Sequence, residues 1–497
     1  MILWFETCFI EKANGKVVKY MKMDLPKQVS YIINTLEEHG YEAYAVGGCV
    51  RDTILGRVPQ DWDITTSAKP EEIKRIFRKT IDTGIQHGTV TVMLDHVGYE
   101  VTTYRIDGEY EDNRHPKSVE YTTNLRLDLE RRDFTINAMA YNETDGLVDA
   151  FGGIEDLHNG VIRCVGNPGA RFDEDALRML RAVRFSGQLA FAIDASTRKA
   201  IEERAANLKS ISAERIRVEL TKLLTAKDAA QIRKAYQTGM TAVFLPELDH
   251  MMECEQKNPH HIYTVGEHCI RSVEVMNAFF GVSVEKNAQL IPEAFGELIQ
   301  DLLPLVSKKQ RTILSLTMLL HDIGKPDTMR IDEKGVGHFY GHPACSEKMA
   351  AKILKRLTFD NETIDMTKHL IRWHDYRYGK GEKGMRKAMA KVGKDRMPLL
   401  LLVQTADVLA QNPDTFAEKL EALREAVHWW KVVVDSGAAL DLKSLAITGS
   451  DLIGIGVKTG PGMGAVLKEV LEYVLENPSE NQKENLLAYV KKHMNLS

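Results

Sequence analysis

The chain has 497 residues, 44% of them hydrophobic and 27% charged, a globular composition that excludes collagen-like and disordered classes. At roughly 150 residues per domain the length implies about three domains, and no apolar run approaches the roughly 18 residues of a membrane span. Sixty-five basic and 70 acidic residues give a formal charge of −5, which taken whole argues against a nucleic-acid binder.

From the N-terminus, Glu6, Glu11 and Lys12 interrupt a short apolar start, unlike a signal peptide. Residues 1–22 are expected to form an irregular leader. Val29, Ile32, Ile33 and Leu36 then follow the i, i+3, i+4, i+7 rule of a helix that Gly40 stops. A strand at 43–46 runs into Gly47-Gly48 and a second helix. The alternation of 61–65 predicts a strand with Trp62 and Ile64 on one face and Asp61, Asp63 and Thr65 on the other. Pro70 opens a helix, and 89–94 and 100–105 read as strands, completing a small α/β head to about residue 150. The pattern is helical over 173–239 and again over 258–430, where most histidines lie. A Gly-rich break at 454–464 precedes a final amphipathic helix. Six cysteines (Cys8, Cys49, Cys164, Cys254, Cys269, Cys345) are scattered without a C-x-x-C pair, which suits neither a zinc cluster nor a disulfide framework and points to a reducing cytoplasm.

Gly47-Gly48-Cys-Val-Arg51-Asp52 joins a strand to a helix, where glycines let backbone approach an anion and Arg51 adds positive charge. A plain tight turn is the alternative. Asp61 and Asp63 share one face of their strand, and two adjacent carboxylates suit Mg²⁺, whose remaining partners can be substrate phosphates. An exposed polar strand is the alternative here, and Glu100 is a candidate third carboxylate. In Arg131-Arg132-Asp133-Phe-Thr-Ile-Asn137, Asp133 and Asn137 are four apart and expected on one helical face, with arginines able to reach triphosphate oxygens.

Asp175, Arg178, Arg181 and Arg184 recur every third residue, a polar ridge winding round roughly half a helix. Cytosine and adenine both present an amino donor beside a ring-nitrogen acceptor, whereas guanine and uracil present the reverse. A carboxylate only accepts and a guanidinium only donates, so an Asp–Arg pair matches C and A and leaves G and U unpaired. A solvated charged face is the alternative.

These motifs, in this order over 40–190, resemble the class II tRNA nucleotidyltransferases, the CCA-adding enzymes of the poly(A) polymerase superfamily, bacterial type. The resemblance implies an α+β multi-domain fold: a polymerase-β-like nucleotidyltransferase head (23–150), then an all-α neck (151–206), body (207–257), HD domain (258–430) and tRNA-contacting tail (431–497). It implies that Asp61 and Asp63 hold catalytic Mg²⁺, that Gly48, Arg51 and Arg132 contact phosphate and sugar, and that Asp175 and Arg178 read the base, supported by Arg181 and Arg184. The implied reaction adds C, C and A to tRNA from CTP and ATP, the 3′-hydroxyl attacking the α-phosphate. Glu109–Pro116 resembles the loop that switches from C to A, favouring full CCA addition over a CC-only or A-only enzyme or a poly(A) polymerase. Thr448–Leu452 resembles part of the family's tail.

His268, His321-Asp322 and Asp407 resemble the HD domain of metal-dependent phosphohydrolases, implying a second divalent metal, with His342 and His374-Asp375 as further candidates. Such a domain hydrolyses phosphoesters, for instance at RNA ends, or serves as scaffold. Charge on the segment scale supports an RNA partner: 163–234 carries 15 basic and 9 acidic residues, hence +6, and 380–396 carries seven and two.

Overall fold

The computed structural model describes residues 8–13, 16–108, 119–258, 262–282 and 290–493. It divides into two compact units, 1–223 with 231–244, and 224–230 with 245–497. No helix among the described residues is long and apolar enough to cross a membrane.

In the first unit the helix Lys27–Glu38 buries Val29, Ile32, Ile33 and Leu36, the stripe the sequence carries. It covers part of a seven-stranded sheet ordered Gly146–Asp149, Met139–Asn142, Ala43–Val46, Ile64–Thr66, Val97–Thr103, Thr89–Leu94, Thr80–Gly84. Only Ile64–Thr66 and Val97–Thr103 run parallel; every other pair is antiparallel. Ala43–Val46 and Ile64–Thr66 are central and wholly buried, and Tyr44 and Val46 pack with Tyr104, Leu129, Ala138, Ala140 and Val165. The helix Leu177–Leu189 follows, almost entirely buried.

Several expectations change. Residues 8–13 and 16–21 pair as an antiparallel hairpin rather than an irregular leader; the missed sequence signal is Asn14-Gly15 between two β-rich runs. The strand expected at 61–65 is Ile64–Thr66, so Asp61 and Asp63 precede it and are not fixed by its pleat. Asp133 and Asn137 do not share an α-helix: the helix Leu125–Glu130 ends before them, and Thr135–Asn137 is a single 3₁₀ turn. Asp175 likewise precedes its helix, capping Pro168–Glu174 with extended backbone (φ −140°).

The second unit packs the helices Val265–Phe279, Lys308–Leu320, Asn361–Trp373 and Met397–Leu409 together, with His342–Arg356 against Asn361–Trp373. Every residue of Met397–Leu409 except Asp407 is buried, as expected of a helix apolar all round. The span 258–430 is not wholly helical, because Arg330–Ile331 and Gly337–His338 form a short hairpin. The tail ends in two helices rather than one, Pro461–Glu476 and Lys483–His493. With Gly449–Gly454 they close a core of its own around Ile447, Leu452, Val470, Val474, Leu486 and Val490.

Candidate active site and a second polar centre

Ala43–Val46 leaves the sheet at Gly47, whose φ is +83°. A Cβ there would stand 3.0 Å from Arg132 Nη1, so both backbone sign and space require glycine. Gly48 opens the helix Gly48–Ile54, which buries Arg51. Arg51 donates from Nε and Nη2 to the two Asp52 oxygens, each at 2.9 Å, and from Nη1 to Asn137 Oδ1 at 2.6 Å.

Asp61 and Asp63 lie at the edge where Ile64–Thr66 begins. Ile64 pairs with Val101, which carries Asp63 alongside Glu100 on the neighbouring strand. Partial burial pushes the Asp63 carboxyl up; Arg132 opposes this and Asp61 adds to it. Burial and then the Asp63 and Asp61 charges push Glu100 up too. Three carboxylates close enough for Asp61 to act on Asp63, and for both to act on Glu100, form a donor set suited to a hard divalent cation.

Arg131–Asp133 ties this edge to the ridge on the neck. The Arg132 guanidinium lies 3.6 Å from Asp128 Oδ2, and its buried Nε has no hydrogen-bond partner among the described residues. Asp133 Oδ1 accepts from Asn137 Nδ2 at 3.1 Å, and Oδ2 accepts from Arg181 Nε at 2.8 Å and faces its Nη2 at 2.6 Å. Arg178 donates to the Arg131 carbonyl at 2.9 Å and to Glu174 at 2.5 Å. Asp175 accepts both terminal nitrogens of Arg215, at 3.2 and 2.7 Å. Arg184 is buried, donates to Glu219 at 2.6 Å and lies 3.6 Å over the Phe185 ring. Arg51 and Arg181 approach the same ring at 5.1 and 5.4 Å. The sequence shows this ridge as arginines without neighbouring acids after Asp175; the fold supplies Asp133 and Glu219 from other elements.

In the second unit six side chains from five helices converge. His268 lies in Val265–Phe279, His321 and Asp322 follow Lys308–Leu320, His342 opens His342–Arg356, His374 follows Asn361–Trp373, and Asp407 lies in Met397–Leu409. Their ligand atoms fall into groups within 4.8 Å: His268, His321 and Asp407; Asp322, His342 and His374; and Cys269 with His321 and Asp322. The scattered cysteines therefore include one at this centre.

Each imidazole turns Nδ1 to a backbone carbonyl: His268 to Ala410 (3.3 Å), His321 to Met318 (2.9 Å), His342 to Phe339 (2.8 Å), His374 to Ile371 (2.7 Å). A nitrogen facing a carbonyl carries the proton, which leaves each Nε2 of a neutral ring with its lone pair. Those atoms meet in two pairs, His268 with His321 and His342 with His374, both at 3.2 Å. Asp322 bridges them: Oδ2 is 3.6 and 3.3 Å from the first pair, Oδ1 3.3 and 3.5 Å from the second. Asp322 Oδ1 is buried without a hydrogen-bond partner among the described residues. Converging lone pairs beside an unsatisfied carboxylate oxygen fit divalent cations, with carbonyls orienting the ligands from behind. Without a cation, burial pulls His321 down but the Asp322 carboxylate overrides it and holds the imidazole well above its usual range. Burial opposes the ionised forms of Asp322 and Asp407, yet His321 and Lys325 hold the first well below the carboxylate range, and His268 and His321 the second.

A family model described as the poly A polymerase head domain matches residues 43–163. A model for a probable RNA and SrmB-binding site of polymerase A matches 190–252, and one for tRNA nucleotidyltransferase domain 2 matches 340–490. A CCA-adding enzyme of Leuconostoc mesenteroides subsp. mesenteroides is 53% identical over 215 residues, 43% of this chain and 54% of that protein. One from Limosilactobacillus reuteri is 52% identical over 210 residues, 42% and 52% of the two chains. The chain thus spans about half the length of the curated relatives it matches. The crystal structure of the Bacillus stearothermophilus CCA-adding enzyme in complex with CTP matches with a TM-score of 0.65 and 28% identity, over 95% of this chain and 98% of that one. The chain has the fold of the bacterial class II CCA-adding enzymes.

Within this CCA-adding fold, the residues expected in the head and neck fall in one unit, joined through Arg131–Asp133. The resembling loop Glu109–Pro116 lies outside the described residues. The match to tRNA nucleotidyltransferase domain 2 crosses the boundary expected at 430 between HD domain and tail. Asp128, Arg215 and Glu219 were not singled out in the sequence; each acts through an arginine or aspartate partner 3 to 40 positions away in the chain, and only Asp128 has a local cue, its i, i+3 spacing to Arg131. Lys325 was also missed. Its Nζ is buried 2.7 Å from Asp322 Oδ2 and donates to Gln256 at 2.9 Å.

Proposed function

We propose that this chain is a template-independent tRNA nucleotidyltransferase that adds C, C and A to tRNA 3′ ends from CTP and ATP in the cytoplasm. The observation carrying this reading is the continuous path from the Asp61–Asp63–Glu100 edge through Arg132 and Asp133 to Arg178 and Arg181. The name borne by its relatives supports it. Asp61 and Asp63 would hold Mg²⁺, which when bound stabilises charge developing at the α-phosphate. The 3′-hydroxyl forms the new bond to the α-phosphorus and pyrophosphate leaves.

The chain's own residues position the reactants. Arg132, with Nε lacking an acceptor among the described residues, and Arg51 on the helix after Gly48 face the nucleotide's anionic groups. Asp175, held by Arg215, accepts from the amino group of C or A, and Arg178 donates to the adjacent ring nitrogen. Arg181 and Arg184, fixed by Asp133 and Glu219, brace that pair. Head, neck, body, HD domain and tail, bounded as above, are proposed as the finer division of the two units.

The test incubates tRNA lacking its 3′ end with each labelled nucleotide. C and A are incorporated in order, G and U by less than about one part in 100, and Asp175→Ala relaxes that ratio. Incorporation of A alone, or of G as readily as A, would sink the reading.

The cluster around Asp322 favours a second activity, metal-dependent phosphohydrolysis, because it gathers ligands for two cations where a scaffold needs none.

A further inference from the structure

Two clefts open on the imidazole–carboxylate cluster. One, of about 660 Å³, is lined by Tyr376, Arg377, Lys419 and Trp429; the other, of about 680 Å³, by Lys325, His338, Phe339 and Tyr340. His374, Asp375, Asp407 and Gln411 line both, so the cluster's His374 and Asp407 stand at their junction, with Asp322 and His342 beside them on the wall of the second. A small phosphomonoester fills one cleft. A phosphorus carrying chain on both sides fills two.

Each cleft carries aromatic rings. Tyr340 is 73% exposed, and its ring lies parallel to His338, with centroids 5.5 Å apart and planes at 5°. His338 is fixed in turn by Asp332, whose Oδ2 lies 2.9 Å from its Nε2, on the strand Gly337–His338. The result is a flat ring held from behind with its other face open. Gly341, at φ +78°, turns the chain so that His342 enters the cluster two residues after that ring. In the other cleft Tyr376 is braced edge-on by Trp373 and Tyr378, at 5.3 and 5.5 Å, beside exposed Arg377. Lys325, buried between Asp322 and the Phe339 ring, supplies a fixed positive charge at the junction.

Flat rings on either side of a phosphoester centre match one ligand chemistry, successive nucleobases joined by a phosphodiester, because every base offers a π face for stacking. We propose that this junction binds single-stranded nucleic acid across the cluster, one base on Tyr340, its neighbour in the Tyr376–Trp429 cleft, and the phosphodiester between them at Asp322, His342 and His374. The inference rests on the phosphohydrolase reading. The step is hydrolysis: a water oxygen forms a new bond to phosphorus, the bond from phosphorus to one ribose oxygen breaks, and that oxygen takes the proton. Water is the only co-reactant.

The test uses the full chain with Mn²⁺, a fluorescein-labelled single-stranded oligouridylate, and bis(p-nitrophenyl) phosphate as a small diester. Both are cut. Tyr340→Ala raises KM for the oligonucleotide at least about five-fold while kcat changes by less than about two-fold, and Tyr340→Phe restores it. In the Asp322→Asn variant, 5-iodouridine in the oligonucleotide cross-links to Tyr340. If the small diester is cut but the oligonucleotide is not, or Tyr340→Ala leaves its KM unchanged, or the cross-link maps elsewhere, the nucleic-acid inference is overturned and the phosphohydrolase reading stands. If neither diester is cut, both fall.

Discussion

Asp133 is buried against Arg181 and Asn137. Burial alone raises a carboxyl; the Arg181 charge and the Asn137 hydrogen bond override it and bring Asp133 to about 2. An unfolded Asp titrates near ~3.9, so the folded state holds this proton more weakly. The stabilisation is complete above about pH 4 and is lost as pH falls towards 2. Asp133→Asn leaves Arg181 with only the more distant Glu219 carboxylate, 4.0 Å away, at a cost of about 2–3 kcal/mol at pH 7, below the fully buried range because Arg181 is a third exposed. The destabilisation shrinks at pH 2.5. Thermal unfolding at the two pH values checks this, and an equal loss at both would remove the assigned pairing. At this scale residue identity was readable, since a glycine at Gly47 and carboxylates at Asp61 and Asp63 are local demands. The partners were not: Arg215 lies 40 positions beyond Asp175 and Asn137 lies 86 beyond Arg51.

Among elements, the helix Gly381–Val392 is the clearest case of packing overriding charge. Its segment carries seven basic residues and was expected to meet RNA phosphates. Three of the seven are engaged by the helix Pro461–Glu476: Arg386 is buried and donates to the Leu475 carbonyl at 2.8 Å, closing that helix's C-terminal end, while Lys383 and Lys387 bridge Glu476. Arg386→Ala strands a buried carbonyl, at a cost of about 1–3 kcal/mol. Amide exchange over 461–476 is expected to speed up relative to 483–493; unchanged exchange would show that the cap carries nothing. Helical stripes such as Val29, Ile32, Ile33 and Leu36 were legible because a 3.6-residue period is written in the chain. The ends of elements around 61–65 and 131–138 were not, because strand and turn boundaries there follow pairing with distant segments.

For the whole molecule, net charge was a poor guide in either direction. The −5 total conceals the basic segment 163–234, yet there Arg163, Arg171, Arg178, Arg181, Arg184 and Arg215 all meet carboxylates. The two polar centres fall in different compact units, which makes their chemistries separable by substitution. Asp61→Ala is expected to abolish nucleotide addition by more than about 100-fold and leave diester hydrolysis intact; Asp322→Asn does the converse. Parallel assays of both variants decide it, and loss of both activities in either one would contradict separable centres.

The sequence by itself determined what lies within about ten residues: the Gly-Gly turn, the arginines of the ridge, the His-Asp step and the buried helical stripes, whereas the strand pleat expected to align Asp61 and Asp63 begins only at Ile64. Those follow from backbone sterics and periodicity, which act locally. Only the tertiary structure decided which acid meets which arginine, that Asp407 stands with His268 across 139 positions, and that four imidazoles turn their Nε2 atoms inward. Those depend on close packing of helices distant in the chain, where a buried charge is tolerated only beside its partner.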